Sequence, residues 1–342
     1  ASFADSGTQW IDVTTGKSVT LGPWPLHSVA ASPSGQLACA IDLGHHARLV
    51  APGREPKDLE GDVEIAGFAA EHLLLLGDGA TGSIHLLDTR DGKRTVLAKS
   101  KAKLQDMAWS RVATAGGSGP WVAAMFDDST LWRRNLATGA ESSAKGITPS
   151  THLQITSNGM VLYAERNEIR AWKPDGTVVT QAPTVKPVLS IGLAGASHLV
   201  AILEDRSAYL VDLAKPNSIV ETESVSQSKI ATPGDRVSVS MSAESGLMVV
   251  PTRGGIEVID PIVPHRWTIA TAPPPPNPYE KSTIAYTDPE ISNDGTRVVA
   301  RLPSALVAWT IVVPSTAAET GKWIDAMTNA AIDLRTSKLV WR

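Results

Sequence analysis

The sequence has little of what most catalytic or metal-binding sites need. It contains a single cysteine, Cys39, which excludes an internal disulfide and any metal site built from several cysteines. Its 31 basic residues do not outnumber its 35 acidic ones, and the net charge of −4 argues against nucleic acid as a partner. No zinc-protease, serine-hydrolase or phosphate-loop motif is present. We therefore predict no catalytic residue, no bound metal and no cofactor.

Long apolar runs are also missing. No stretch approaches the roughly 18 apolar residues that a membrane-spanning helix requires, so no membrane span is predicted. Hydrophobic residues nevertheless make up 42% of the 342 residues, which is enough for a substantial core. They occur in short runs rich in β-branched residues and bounded by turn residues, which predicts buried strands. Examples are residues 73–76, 121–126, 160–163, 198–203, 247–251 and 297–302.

Two kinds of turn separate these runs, and each ends in a glycine. The polar residues ahead of the glycine bond the local backbone, and the glycine supplies the positive φ of a hairpin turn. One kind ends at Gly35, Gly159, Gly246 and Gly295, and the other at Gly16, Gly92, Gly139 and Gly176.

The second kind of turn recurs with a regular spacing. Together with Gly53 it gives intervals of 37, 39, 47 and 37 residues along the chain. A period near 40 with four short strands is typical of a β-propeller blade, since each sheet buries its faces only against its neighbours. The sequence therefore predicts an all-β propeller, with seven blades of four antiparallel strands as the expected count. The predicted blades cover about 26–61, 62–102, 103–147, 148–184, 185–229, 230–276 and 283–313.

The two ends of the chain are expected to complete this architecture. Residues 1–315 form the propeller, in which a hairpin at 8–21 closes the ring with strands at 287–313. Residues 316–342 form a short helix and a strand-like tail packed on the propeller. Four prolines at 273–276 are interpreted as a stiff spacer, or alternatively as a ligand for a proline-binding domain.

The first residues leave two interpretations of the chain's origin open. There is no initiator methionine and no basic-then-apolar leader, so the chain is a piece of a longer protein or a secreted protein after processing. One strand is left unmatched when the ring is closed, and we therefore expect missing sequence upstream. A cytoplasmic location is expected, with a periplasmic or secreted one as the alternative.

Tryptophans near the ends of predicted third strands carry a family resemblance. Trp10, Trp132, Trp172 and Trp309 occupy the place where WD40 blades commonly have a Trp-Asp pair. The chain resembles the WD40-like β-propellers over about residues 8–313. None of the four is followed by Asp, and no blade carries an early Gly-His pair, which implies that the Asp–His network of standard blades is absent. The tail is similar to those of some large bacterial WD40-containing signalling and conflict proteins.

Acidic residues recur where the second strand of each predicted blade turns into the third. In a propeller these turns emerge on one face with the blade-to-blade loops. We interpret them as an acidic ring that attracts a basic segment of a protein partner; the alternatives are solvated loop tips or oxygen ligands for a divalent cation. The residues are Asp42, Asp78, Asp127, Asp128, Glu165, Glu204 and Asp205, and the sixth blade has Arg253 instead.

These observations favour a non-catalytic protein-interaction module, a scaffold or sensor within a multidomain or multisubunit bacterial assembly. Its partner is a protein or a covalently linked domain. The alternative is a secreted or periplasmic propeller enzyme of the hydrolase or lyase type, with a carboxylate-lined channel mouth. The adjacent His45 and His46 would face opposite ways on a strand, so they are not expected to chelate one ion.

Overall fold

The computed structural model consists of β-strands, with no helix among the residues that it describes. Within that part of the chain there is accordingly no helix long and apolar enough to cross a membrane. The structure describes residues 2–3, 7–11, 18–22, 26–110, 119–149, 153–205, 207–221, 240–242, 245–252, 255–262, 265–271, 287–292, 295–302, 305–311, 330–333 and 338–341.

The first three blades are four-stranded antiparallel sheets whose strands pair in chain order. Blade one consists of β4 (Leu26–Ala31), β5 (Ala38–Asp42), β6 (His46–Val50) and β7 (Lys57–Asp62). Blade two consists of β8 (Ile65–Ala70), β9 (Leu73–Asp78), β10 (Ser83–Asp88) and β11 (Arg94–Lys99). Blade three consists of β12 (Leu104–Trp109), β13 (Trp121–Phe126), β14 (Thr130–Asn135) and β15 (Glu141–Lys145).

The next three blades repeat this arrangement. Blade four consists of β16 (Gln154–Ile155), β17 (Val161–Glu165), β18 (Glu168–Trp172) and β19 (Val178–Pro183). Blade five consists of β20 (Val188–Ala194), β21 (His198–Leu203), β22 (Ala208–Asp212) and β23 (Ile219–Glu221). Blade six consists of β24 (Ser240–Met241), β25 (Met248–Thr252), β26 (Gly255–Asp260) and β27 (His265–Thr271).

Blade seven and the two chain ends form smaller sheets. Blade seven has three described strands, β28 (Thr287–Ile291), β29 (Arg297–Leu302) and β30 (Ala305–Thr310). At the amino end, β1 (Ser2–Phe3), β2 (Gly7–Ile11) and β3 (Ser18–Gly22) form another three-stranded sheet. At the carboxyl end, β31 (Ala330–Asp333) pairs with β32 (Lys338–Trp341). That residues 8–21 close the ring against 287–313, and that the tail packs on the propeller, stay predictions.

The hydrophobic core is divided among the seams between successive blades. Six clusters of buried apolar side chains are present in the described residues, and each draws its members from two neighbouring blades. The seam between blades one and two, for example, packs Cys39 and Ile41 against Phe68 and Leu74. Because both faces of a central sheet are covered in this way, the second strands are almost wholly apolar. The seven-bladed propeller predicted from the sequence is confirmed.

The glycine turns also have the predicted backbone conformation. Gly35, Gly159, Gly246 and Gly295 have φ between 71° and 84°, in turns between first and second strands. Gly92, Gly139 and Gly176 have φ between 74° and 89°, in turns between third and fourth strands. Gly16, the proline run at 273–276, and residues 316–329, where the helix is predicted, lie outside the described residues.

A buried cation joins blades three and four. Arg133, in β14, is 1% exposed and its guanidinium lies 4.0 Å from the ring centroid of Trp172. It donates hydrogen bonds to the backbone carbonyls of Gly159, Trp172 and Pro174 in blade four and to the hydroxyl of Ser142 in its own blade. One side chain therefore satisfies several carbonyls at the turns of the next sheet.

The single thiol lies inside the first seam. Cys39 is 0% exposed, and burial raises its pKa to about 12. A thiol in this state is protonated at neutral pH and unreactive, because the thiolate is the nucleophilic form. The side chain acts as a small apolar residue of the core.

Candidate functional site

The turns between second and third strands lie at one edge of the blades, together with the loops that join one blade to the next. Backbone hydrogen bonds connect the two sets: the N–H of Val63 donates to the carbonyl of His45, and the N–H of Thr184 donates to the carbonyl of Asn167. Val63 and Thr184 are in blade-to-blade loops, whereas His45 and Asn167 are in second-to-third-strand turns. The two kinds of connection therefore form a common face.

The structure places the seven predicted carboxylates at equivalent positions of five successive blades on this face. Each is the last residue of a second strand or one of the two residues that follow it. We call this surface of the blades the acidic face. Its seven members are the carboxylates of Asp42, Asp78, Asp127, Asp128, Glu165, Glu204 and Asp205. Arg253, its counterpart in blade six, lies outside the described residues.

Three members of the acidic face are paired with cations. The carboxylate of Asp42 accepts a hydrogen bond from Arg48 at 2.9 Å, that of Asp205 accepts one from Lys186 at 2.7 Å, and Glu165 pairs with Arg170. Burial raises the pKa of Asp42, but the hydrogen bonds from Arg48 and from the N–H groups of His46 and Gly44 outweigh it and hold the pKa at about 2. The charges of these three groups are largely satisfied within the chain.

Hydrogen bonds also lower the pKa of Asp205 to about 2. The ammonium of Lys186 is the main cause, and the hydroxyl and N–H of Ser207 add to it. Lys186 is in the loop that leads into blade five, so this ion pair joins the loop to the turn that follows β21.

The other four members make no ion pair among the described residues. Asp78 and Asp128 accept hydrogen bonds from the N–H groups of Thr81 and Thr130, which stabilise their turns. Asp127 accepts one from the N–H of Lys103. Glu204 is exposed, and its backbone N–H donates to the carbonyl of Pro187 in the loop that leads into blade five. Three of these four, Asp127, Asp128 and Glu204, are exposed and therefore available to a partner.

A cavity of about 480 Å³ opens on the acidic face where blades one, two and three meet. We call it the seam cavity; its wall includes His45, Asp62, Glu64, Gly79, Lys103 and Asp127. Asp127 is the one acidic-face residue in the wall. Sequence reasoning missed Asp62 and Glu64 because it considered only the turns, whereas Asp62 is the last residue of β7 and Glu64 lies in the loop from blade one to blade two. The signal was the acidic run Glu60-Gly61-Asp62-Val63-Glu64.

The carboxylates of the seam cavity lack internal counter-charges. Within the part of the chain that the structure describes, neither Asp62, Glu64 nor Asp127 has a cationic group at ion-pair distance, although Lys103 lies in the same wall. His45 has φ of 63° and a buried Nδ1 without a hydrogen-bond partner among the described residues. Its ring centroid lies 5.6 Å from that of His27.

Metal coordination has no support in the described residues. No three histidine, cysteine, aspartate or glutamate side chains converge there to hold an ion. The divalent-cation interpretation of the acidic residues thus lacks a ligand set in that part of the chain.

Comparison with known proteins identifies the fold through structure and not through sequence. No protein-family model matches the chain, and no curated protein matches it. Two solved structures are similar to it, described as "Structure of U3-55K" and "Crystal structure of RRP9 WD40 repeats". Each is 13% identical in sequence to this chain and superimposes with a TM-score of 0.56. Each match covers 82% of this chain, and the two matches cover 89% and 88% of the other chains, respectively. The chain has the fold of the WD40-repeat β-propellers.

Proposed function

We propose that this chain is a non-catalytic protein-interaction module, a scaffold or sensor of a cytoplasmic bacterial assembly of several domains or subunits. It binds a basic segment of a protein partner on the acidic face. The observation that carries the proposal is the set of exposed carboxylates, Asp127, Asp128 and Glu204, which recur at equivalent turns and make no ion pair among the described residues.

The surroundings of these carboxylates support the same partner. Leu43, in the turn of blade one, is 63% exposed, and Val185, in the loop into blade five, is 75% exposed, both on the acidic face. Apolar side chains among carboxylates suit a partner segment that combines basic and apolar residues. Arg166, exposed in the turn of blade four, reduces the negative charge there. No observation favours the hydrolase or lyase alternative, and we do not propose it.

Charge reversal on the acidic face tests the proposal. The tagged full chain is purified from its own cells, and co-purifying proteins are quantified by mass spectrometry. We expect the triple variant Asp127→Lys, Asp128→Lys, Glu204→Lys to lose its specific partner by at least about tenfold, because like charges across an interface repel strongly.

A matched control distinguishes an effect of the acidic face from an effect of the protein's net charge. Glu55, Asp91 and Asp175 are exposed in third-to-fourth-strand turns, on the opposite face. The triple variant Glu55→Lys, Asp91→Lys, Asp175→Lys changes the net charge equally and should keep the partner. Full retention of the partner by the acidic-face triple variant, or equal loss in the control, would refute binding through the acidic face.

A further inference from the structure

The seam cavity defines what part of a partner the acidic face would hold most firmly. We infer that it receives the basic side chain of an arginine or lysine from a partner polypeptide, with an apolar residue of the same segment resting on Leu43. This inference rests on the proposed function and adds a specific docking point to it.

The size and charge of the seam cavity favour a cationic side chain. Its volume of about 480 Å³ is within the range of ligand pockets and well above the space of a single water molecule. Asp62 and Glu64 line it from the end of β7 and the loop that follows, and Asp127 lines it from the turn after β13, against one cation, Lys103. An anionic group would face three carboxylates, whereas a guanidinium or ammonium group would gain counter-charges that the described chain does not supply.

The backbone around the seam cavity is fixed before any partner binds. The turn that carries His45 is held by a hydrogen bond from the N–H of His45 to the carbonyl of Asp42, at 3.0 Å. The carbonyl of His45 in turn accepts the N–H of Val63, at 2.9 Å, which connects the turn to the loop of Asp62 and Glu64. A preformed wall lowers the entropy cost of binding.

Gly79 gives the carboxylate of Glu64 its place in the wall. A Cβ built at Gly79 would overlap Oε2 of Glu64, and the three atoms nearest to it all belong to that side chain. Gly79 has no positive φ, so alanine fits its backbone. The change Gly79→Ala therefore displaces a flexible carboxylate without removing its charge or straining the fold.

A polypeptide, and not a free cation, is the expected ligand because an exposed apolar side chain lies in the same turn as His45 of the cavity wall. Leu43 is two residues from His45 in the same turn and is 63% exposed. An isolated cation leaves this side chain in water, whereas a neighbouring apolar residue of a bound segment would cover it.

The test uses the full chain and a defined probe, the peptide acetyl-Gly-Ser-Leu-Arg-Ser-Gly-amide, with binding measured by calorimetry at low salt. We expect Glu64→Gln and Gly79→Ala each to weaken peptide binding about fivefold, as for loss of one partly exposed charge contact. The same-face control Glu204→Gln should change it less than about twofold. Circular dichroism and thermal unfolding verify that every variant is folded.

Three outcomes would overturn the inference. The first is that Glu204→Gln weakens peptide binding as much as Glu64→Gln does. That result would indicate diffuse attraction to the whole acidic face, and it would leave the proposed function standing. Another is no binding of the peptide to the unmodified chain, in which case co-purification still decides the proposed function. The third is equal affinity for N-acetyl-arginine amide, which would indicate a site for a free cation.

Discussion

Arg133 shows how much a single side chain contributes to this fold. It is a cation in the interior, and no carboxylate lies at ion-pair distance among the described residues. Burial lowers its pKa, and the nearby charge of Asp175 acts in the opposite direction. Its cost of desolvation is offset by the carbonyls that it bonds and by the face of Trp172. Removing it would leave those carbonyls without a donor.

The replacement Arg133→Met should therefore lower the free energy of unfolding by about 3 kcal/mol, since each unsatisfied buried acceptor costs about 1–3 kcal/mol. Urea unfolding measures this quantity. The neighbouring Arg134 is the control: its side chain is 29% exposed and pairs with Glu141 at 3.2 Å. Arg134→Met should cost less than about 1 kcal/mol, and equal losses in the two variants would contradict the role given to Arg133.

At the scale of strands, glycines set how closely neighbouring blades approach. Gly67, in β8, lies under the indole of Trp109 from β12, so that an added Cβ would overlap several ring atoms. Gly192, in β20, is covered in the same way by Met241 of β24. In both places a large side chain of one first strand packs directly on the backbone of the preceding first strand.

Gly67→Ala should destabilise the protein by about 1–3 kcal/mol, because the aromatic ring must move to admit the methyl group. Gly79→Ala, in the same blade, is the matched control: its Cβ meets only the end of the Glu64 side chain. Thermal and urea unfolding should place that variant within about 0.5 kcal/mol of the unmodified chain. A Gly67→Ala protein as stable as this control would contradict close seam packing.

Strands and turns could be predicted from the sequence because their signals are local. The six apolar runs coincide with β9, β13, β17, β21, β25 and β29, which are all second strands. The glycines that end the described turns have positive φ as expected. The recurrence of carboxylates after second strands was likewise visible along the chain.

The seam cavity could not be predicted in this way, because it depends on contacts between blades. His45, Gly79 and Asp127 belong to blades one, two and three, and they meet only where the three sheets adjoin. The same holds for the buried Arg133, whose charge in the sequence suggests a solvated position. The pairing of Asp42 with Arg48 also depends on side-chain geometry. It leaves one carboxylate fewer on the acidic face without an ion pair.

For the molecule as a whole, the apolar contacts that stabilise the fold are divided among the seams between blades. Each of the six core clusters joins only two neighbouring blades, so coupling between distant blades passes from one seam to the next. Ion pairs on the surface add a contribution that depends on pH. Hydrogen bonds from Arg90 lower the pKa of Asp88 to about 2, the value that Asp42 and Asp205 also have.

These three carboxyl groups predict the acid limit of the fold. Their pKa values lie below the roughly 3.9 of an unfolded aspartate, so they stabilise the folded state above about pH 4. That contribution is lost as the pH falls from about 4 to 2. Urea midpoints measured from pH 6 to pH 2 should show this decline, and Asp42→Asn should make it shallower. A midpoint that stays constant down to pH 2 would contradict the assignment.

The burial of Cys39 has a practical consequence for spectroscopy. Because the chain's only thiol is inaccessible and protonated, maleimide or nitroxide reagents at neutral pH should leave the native protein unlabelled. Cysteines introduced on exposed turns then become the sole attachment points for fluorophores or spin labels. A pair of such labels, one in blade one and one in blade seven, would report the distance across the expected closure of the ring without removing any native residue.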